Sequence, residues 1–224
     1  MYFEFSRFKP IERYKLLSST VTPRPIAWVS TIDANGKPNA APFSFFNVFA
    51  EDPPTLGFAI NHRSDSDRKD TGENVRLQKE FVVNLVSADC VEQMNITAIE
   101  FGPAVDEFAE AGLTPAPSTL IRTPRIAESR VSFECRLMQI IALGTRRSLV
   151  LGEVLAMHVP DEAVLDAQRC WIDTQRLQLV GRMHGHHYLR MADVFEMPTI
   201  PVDTWNAKDN RYPPVDTPKG RRRT

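Results

Sequence analysis

The chain has 224 residues, of which 42% are hydrophobic and 25% charged, enough for one sizeable core. Its net charge of -1 argues against a nucleic-acid partner, since the only basic run is at residues 219–223. Three cysteines without close spacing argue against a disulfide framework or a zinc cluster. No apolar run approaches the roughly 20 residues that cross a bilayer. The first residues lack a secretory signal, so no membrane partner and a cytoplasmic location are expected.

The first part of the chain predicts a short helix followed by strands and turns. Strands are predicted where β-branched and apolar residues cluster, and Asn35-Gly36 is suited to the positive φ of a hairpin turn. Prolines mark a break before the next strand. The predicted elements are a helix at 11–19, strands at 25–32, 39–43 and 55–60, a turn at 33–38 and a break at 51–54.

The second part predicts further strands with helices between them. The predicted elements are a helix at 68–79 capped by Asp67, a buried strand at 81–86, helical pieces at 90–99 and 106–111, a loop at 114–124, and long strands at 131–143 and 149–159. In the first long strand the alternation predicts two faces. Val131, Phe133, Cys135 and Leu137 are predicted to face inward, and Ser132, Glu134 and Arg136 outward.

Strands and helices do not alternate strictly, which weighs against a doubly wound parallel sheet. A mainly β fold with helical insertions, either a barrel or a sandwich, fits the pattern better. We expect residues 1–198 to form one domain. Residues 199–224 shift to proline and charge with few aliphatic side chains, and predict a basic arm or a disordered tail.

Common enzyme signatures are absent from the sequence. There is no Gly-x-Gly-x-x-Gly motif, no phosphate-binding loop ending in Gly-Lys-Ser or Gly-Lys-Thr, and no Gly-x-Ser-x-Gly elbow. No cysteine or histidine pairs have structural zinc spacing. A nicotinamide cofactor would therefore be bound without the usual dinucleotide fingerprint.

Residues 39–47 are the first candidate for chemistry. The segment begins as a strand and is predicted to break at Pro42. Small side chains at Ala40 and Ala41 allow a flat ring to approach the backbone, and amides after Pro42 could donate to a heterocycle, with Ser44 adding a hydroxyl. A bulged strand with a core aromatic cluster explains the same residues without a ligand.

Residues 62–74 are the second candidate, because they combine cations, hydroxyls and the start of a helix. A helix N-terminus can hold a phosphate. Arg63 or Lys69 would supply full charge, and Ser64 or Thr71 a hydroxyl donor. A solvated loop before a capped helix, with Asp67 and Asp70 serving the helix dipole, is the alternative.

Residues 181–188 contain three histidines, His184, His186 and His187. No metal is predicted, because no nearby acid completes a familiar ligand set; the nearest downstream is Asp193. Strand alternation would also send two of the rings to opposite faces. A histidine that lines a redox pocket and donates a proton there is favoured, and a plain surface loop is the alternative.

Taken in order, several short motifs resemble the flavin reductase-like family over roughly residues 10 to 195. The motifs are residues 22–31, Gly36, Asn39, and residues 41–47, 52–54, 69–71, Asn74 and 80–85. The resemblance implies a split β-barrel that binds FMN non-covalently. It also implies a homodimer with the flavin near the subunit interface.

The resemblance also implies which side chains surround the flavin, position by position. They are Pro42, Phe43, Ser44 and Phe45 at the ring; Asn61, His62 and Arg63 beside it; Lys69, Asp70 and Thr71 at the phosphate; and Thr31, Arg182 and His184 from flanking segments. One departure concerns the Gly-Arg-Leu-Gly-Gly pattern common in the family. Here His184 stands where a glycine is common, which adds a ring near the expected pocket.

The activity implied is hydride transfer from NADH or NADPH to FMN, and then electron transfer to iron, oxygen or a partner monooxygenase. The cofactor would supply the redox chemistry, and the protein position and electrostatics. The alternative is FMN storage or electron relay without turnover. A metal or haem protein that uses the three histidines is a third possibility. The sequence does not distinguish NADH from NADPH, name the acceptor, or say whether the flavin stays bound.

Overall fold

The computed structural model describes residues 1–62, 70–102, 105–191, 193–197 and 199. Its α-helices are α1 (Pro10–Thr20), α2 (Asp70–Gln78), α3 (Val91–Ile96) and α4 (Glu107–Glu110). Its longer strands are β1 (Ala27–Ile32), β2 (Pro38–Phe43), β3 (Phe46–Glu51), β4 (Pro54–Asn61), β5 (Glu80–Leu85), β8 (Val131–Ala142) and β9 (Arg147–His158). Its short strands are β6 (Pro115–Ala116), β7 (Arg125–Ile126), β10 (Val164–Asp166), β11 (Trp171–Ile172), β12 (Val180–Arg182) and β13 (Tyr188–Arg190). Single turns of 3₁₀ helix span Phe5–Arg7 and Asp161–Ala163.

The longer strands form one antiparallel sheet in the order β2-β1-β5-β8-β9-β4-β3. The predicted hairpin of β1 and β2 is confirmed, with Trp28 opposite Pro42. Gly36 takes a φ of +83° in its turn, and the Asp33 carboxylate accepts from the Asn35 amide at 2.8 Å. The Ala59 amide donates to the Phe45 carbonyl at 2.8 Å, which continues the pairing of β4 with β3. Only two residues separate β2 from β3, which stand at opposite ends of the strand order, so the sheet curls into a split β-barrel.

Apolar side chains from all sides of the sheet fill the barrel. Phe58 is central: its ring centroid lies 5.2 Å from that of Phe43 and 5.4 Å from that of Phe81. Gly152 leaves space for Phe81, because a Cβ at that position would collide with the ring. The strands therefore hold each other at fixed distances, which fixes the end of β2.

A second apolar cluster covers the outer face of β1 and β2. The fully buried Trp28 donates from Nε1 to Thr97 Oγ1 at 2.9 Å, just after α3. Met94 of α3 and Phe108 of α4 pack in the same cluster. This packing places α3 beside the end of β2, where the two elements form the walls of a cavity.

One sequence prediction about β2 was wrong, and β3 was missed. The chain does not break at Pro42, which stays in register with Trp28 and is followed by Phe43 before the turn. Because β2 is the edge of the sheet, a residue without an N–H group is tolerated there. The strand β3 was not predicted, because its side chains at Val48 and Phe49 are exposed and leave no alternating pattern.

The outward face predicted for β8 was wrong in part. Arg136 is exposed, but Ser132 and Glu134 are buried. The Glu134 carboxylate accepts from the backbone amides of Thr119 and Leu120 at 2.7 Å each. The loop before β7 therefore covers this face, and buried polar groups are satisfied by hydrogen bonds across it.

The remaining predicted helices and strands are confirmed with boundaries shifted by a few residues. The cap at Asp67 and the arm at 199–224, apart from Thr199, lie outside the described residues. The domain boundary at residue 198 stays a prediction. Within the described ranges, every helix is too short or too polar to cross a bilayer.

Candidate functional site

A cavity of about 640 Å³ opens between the end of β2, α3 and the β12–β13 hairpin. We call it the ring cavity. Its walls combine apolar and polar groups from four parts of the chain, a mixture typical of cofactor sites. The residues that the argument uses are Tyr14 from α1, Pro42 and Ser44 from the end of β2, Met94 from α3, and Arg182, His186 and Tyr188 from the hairpin.

The end of β2 offers free backbone donors beside this cavity. Among the described residues, the amides of Ser44 and Phe45 have no hydrogen-bond acceptor. Ser44 is half-buried, and its hydroxyl accepts from Arg24 Nε at 3.4 Å. Ala40 and Ala41 lie just before, with side chains too small to block the approach of a flat ring. Unpaired donors of this kind are completed by a ligand or by water, so these residues fit a planar heterocycle with carbonyl groups.

Arg24 ties the walls of the ring cavity together. Its side chain is buried and donates to the carbonyl oxygens of Ser18 and Val21 at 2.7 Å each, at the end of α1. It also donates to the Met183 carbonyl at 3.1 Å, after β12. Burial lowers the pKa of Arg24, and nearby Arg182 adds to this effect. Arg24 was not among the predicted site residues, although it lies within the 22–31 motif.

The β12–β13 hairpin brings different histidines to the site from those expected. Arg182 stacks on Tyr188, with the guanidinium carbon 4.6 Å from the ring centroid, and lines the ring cavity. His186 also lines it. His184 instead lies against α1, where Nδ1 is 2.8 Å from Ser19 Oγ. His184, which stands where a glycine is common in the family, therefore connects the β12–β13 hairpin to α1.

The three histidines diverge. His187 Nδ1 is 3.1 Å from the backbone carbonyl of His184, whereas His186 points to the ring cavity. Within the part of the chain that the structure describes, no three His, Cys, Asp or Glu side chains form a group that could hold a metal ion.

A narrower cleft of about 90 Å³ continues from Pro42 to the start of α2. Thr71 lies there, with its hydroxyl 3.1 Å from the Asn39 side-chain amide. Carboxyl groups of Asp70 and Glu107 line the same cleft. Burial raises the pKa of Glu107, and the charge of Asp70 raises it further. The described part of the predicted phosphate site is therefore acidic.

The cations predicted for the phosphate, Arg63 and Lys69, lie outside the described residues. Thr31 lines neither the ring cavity nor this cleft. Its side chain is fully buried and accepts from Asn74 Nδ2 at 3.1 Å. Phe43 likewise turns its ring into the barrel core and reaches the cleft only at its edge.

Asn61, His62 and Phe45 line a third cavity, of about 530 Å³, on the other side of Tyr14. The rings of Tyr14 and Phe45 stack with centroids 6.0 Å apart. Tyr14 lines both this cavity and the ring cavity. Apart from Thr31 and His184, the predicted flavin residues that the structure describes are therefore distributed over three adjoining cavities that share Pro42 or Tyr14.

Comparisons with known proteins agree with this fold. Residues 18–175 match the model of the flavin reductase like domain. An uncharacterized protein of Aquifex aeolicus is 44% identical over 177 residues, which cover 79% of this chain and 89% of the relative.

Two solved structures are similar over most of their length. The 2-nitrobenzoate 2-nitroreductase of Pseudomonas fluorescens has 33% identity and a TM-score of 0.83, covering 92% of this chain and 100% of the other. Component B of nitrilotriacetate monooxygenase from Bacillus cereus has 30% identity and a TM-score of 0.84, covering 88% and 98%. The split barrel, the ordered motifs and these matches agree: the chain belongs to the flavin reductase-like family.

Proposed function

We propose that this protein binds FMN non-covalently in the ring cavity and reduces it with NADH or NADPH. Family membership supports a flavin-dependent oxidoreductase. The observation that carries the proposal is the end of β2, where two backbone amides at Ser44 and Phe45 lack described acceptors beside a cavity of about 640 Å³. A cavity of this size matches the range found for cofactor sites.

FMN, when bound, supplies the two-electron chemistry. The protein residues hold and polarise it. Amides at Ser44 and Phe45 would donate to ring carbonyls and stabilise negative charge there, as preorganised dipoles do. Arg24 fixes the Ser44 hydroxyl, and Arg182 adds positive charge to the wall of the cavity. No side chain needs to act as a nucleophile.

The first test is a flavin titration followed by reduction. Purified protein is titrated with FMN and with FAD, and the complex is then mixed without oxygen with NADH or NADPH. We expect tighter binding of FMN and loss of the visible flavin absorbance with at least one nicotinamide. A protein that remains colourless with excess FMN and FAD would refute flavin binding. A yellow protein that neither nicotinamide bleaches would favour storage or electron relay.

The electron acceptor is the second part of the proposal. The similar nitroreductase acts on an aromatic nitro compound and component B serves a monooxygenase, so a nitroaromatic acceptor or a partner monooxygenase are the classes to test. Steady-state oxidation of NADH with and without nitrobenzoate separates a nitroaromatic acceptor from simple oxygen reduction. If nitrobenzoate does not change the rate, free reduced flavin is the product, and a partner monooxygenase is the acceptor class left to test.

We also propose a homodimer. Val48 and Phe49 of the outer strand β3 are 65% and 57% exposed, and adjacent exposed apolar side chains on a sheet edge are typical of protein contacts. The expected result by analytical ultracentrifugation is a dimer of about 51 kDa, twice the 25.4 kDa of one chain. A Val48→Glu substitution should shift it to monomer.

A further inference from the structure

The third cavity has an unusual charge. We call it the arginine cavity and define it by Arg13, Asn61, His62, Arg146 and Arg147. Three of these residues are cations at neutral pH and a fourth is a histidine. No carboxylate is among its described lining residues. A concave site lined by one sign of charge concentrates ligands of the opposite sign.

Two polar atoms in the arginine cavity are buried without partners. Arg13 Nε and His62 Nδ1 are shielded from solvent, and neither has a hydrogen-bond partner in the part of the chain that the structure describes. The other ring nitrogen of His62 is fixed, since Nε2 lies 2.9 Å from Ser148 Oγ. Unpartnered buried polar atoms are uncommon in folded proteins and are costly, so each calls for an explanation.

Arg147 is held in position with part of its fork unused. Its Nε donates to Asn61 Oδ1 at 2.7 Å, and its guanidinium carbon lies 4.4 Å from the centroid of the Phe45 ring. Among the described residues, its two terminal nitrogens donate to no acceptor. Burial lowers the pKa of Arg147, and the charge interaction with Tyr14 opposes this effect. A planar guanidinium prepared in this way matches the two oxygens of a carboxylate or a phosphate.

We propose that the arginine cavity binds the oxyanion of the second substrate, a carboxylate or a phosphate, next to the flavin site. The inference rests on the proposed function, because it assigns a substrate to the same redox centre. Arg147 and Arg13 supply the charge, and the unpartnered Nδ1 of His62 supplies a further donor in the tautomer that carries its proton there. Tyr14 lies between this cavity and the ring cavity, so a ligand anchored by its anion extends past Tyr14 toward the flavin.

Two sources of this anion share the same chemistry. One is a phosphate of the nicotinamide dinucleotide, and the other is the carboxylate of an aromatic acceptor. Each of these two molecules carries a flat ring and an oxyanion, so the oxyanion can bind in the arginine cavity while the ring reaches toward the flavin. The cavity, at about 530 Å³, has room for either group.

The direct test uses flavin-free protein and two simple probes. Inorganic pyrophosphate and benzoate are titrated by calorimetry into the wild type, Arg147→Met and Arg13→Met. Methionine keeps the length of the side chain and removes the charge. We expect each variant to weaken binding of at least one probe about 10- to 100-fold, as for lost charge-assisted hydrogen bonds. Arg147→Lys should recover part of the loss.

A matched control removes the same charge elsewhere. Arg169 stacks on Trp171, with its guanidinium carbon 4.8 Å from the ring centroid, and lines none of the three cavities. Arg169→Gln should bind both probes as the wild type does. If this variant loses as much affinity as Arg147→Met, the effect is general charge and the proposal is wrong. Absence of binding of both probes to the wild type would also overturn it.

Kinetics then separate the two sources. In Arg147→Met, a raised KM for NADPH but not NADH identifies the 2′-phosphate, and a raised KM for both identifies the pyrophosphate. A raised inhibition constant for benzoate, with benzamide unchanged, identifies a carboxylate. If none of these constants moves while FMN still binds and is reduced, the oxyanion site fails and the proposed function stands. If FMN itself does not bind, the proposed function fails, and the probe titrations alone decide the oxyanion site.

Discussion

Replacing Arg24 by methionine tests the idea that one buried cation holds the ring cavity together. The substitution keeps the aliphatic length of the side chain and removes its guanidinium. It removes three hydrogen bonds together. These are the bonds to the carbonyl oxygens of Ser18 and Val21, at 2.7 Å each, and of Met183, at 3.1 Å. Ser18 is itself buried, so its carbonyl has poor access to replacement water.

The magnitude follows from these contacts. Each hydrogen bond to a neutral acceptor contributes about 1 kcal/mol net, and more where the donor is charged. The positive charge also lies at the C-terminal end of α1, where a cation contributes roughly 0.3 to 1 kcal/mol. The unfavourable burial that lowers the pKa of Arg24 offsets part of this gain. We therefore expect the free energy of unfolding to fall by about 3 kcal/mol.

Urea denaturation followed by tryptophan fluorescence measures this change, with the slope m as a check on two-state unfolding. Because Arg24 also fixes Ser44 and the hairpin, FMN affinity should fall by about tenfold, or roughly 1.4 kcal/mol. Arg24→Lys keeps the charge with fewer donors. Its free energy of unfolding and its FMN affinity should lie between those of the wild type and Arg24→Met. A loss below about 1 kcal/mol with unchanged m and unchanged FMN affinity would refute the assigned role.

Three further substitutions test separate parts of the structure. Glu134→Gln should lower the free energy of unfolding by about 3 kcal/mol near neutral pH. Burial alone would raise the pKa of Glu134, but its hydrogen bonds outweigh burial and lower the pKa. In urea titrations, the difference in unfolding free energy from the wild type should therefore shrink as the pH falls below the ordinary carboxyl range. Gly152→Ala should cost about 1 to 3 kcal/mol because its methyl group meets the Phe81 ring, whereas Gly102→Ala, whose methyl group would meet no atom of the described residues within 4 Å, should leave the melting temperature nearly unchanged. Lys69→Ala should weaken FMN binding about 10- to 100-fold and leave riboflavin binding unchanged, since riboflavin has no phosphate; equal dissociation constants for FMN in both proteins would show that the phosphate binds elsewhere.

Part of the candidate site could be predicted from sequence. The segment at 39–47 and the residue Arg182 were identified from ordered motifs, and both reach the ring cavity. The importance of Arg24 could not be predicted. Val21 is close to it in sequence, but Met183 lies 159 residues away, and no local pattern brings those two acceptors to one side chain. Nor could local spacing show that His186, and not His184, would line the cavity, since that depends on how the hairpin meets α1.

The amino-acid sequence by itself determined the local elements of this protein and the turn at Gly36, because alternation, prolines and positive φ act within a few residues. The tertiary structure alone decided which polar groups were buried. Glu134 follows the alternation of an exposed face, yet a loop from another part of the chain covers it. Likewise, Arg147 joins His62 at one cavity only because β9 pairs with β4 across 86 residues. The burial of a side chain and the charge of a cavity depend on contacts between residues far apart in the chain, and short-range sequence patterns do not predict those contacts.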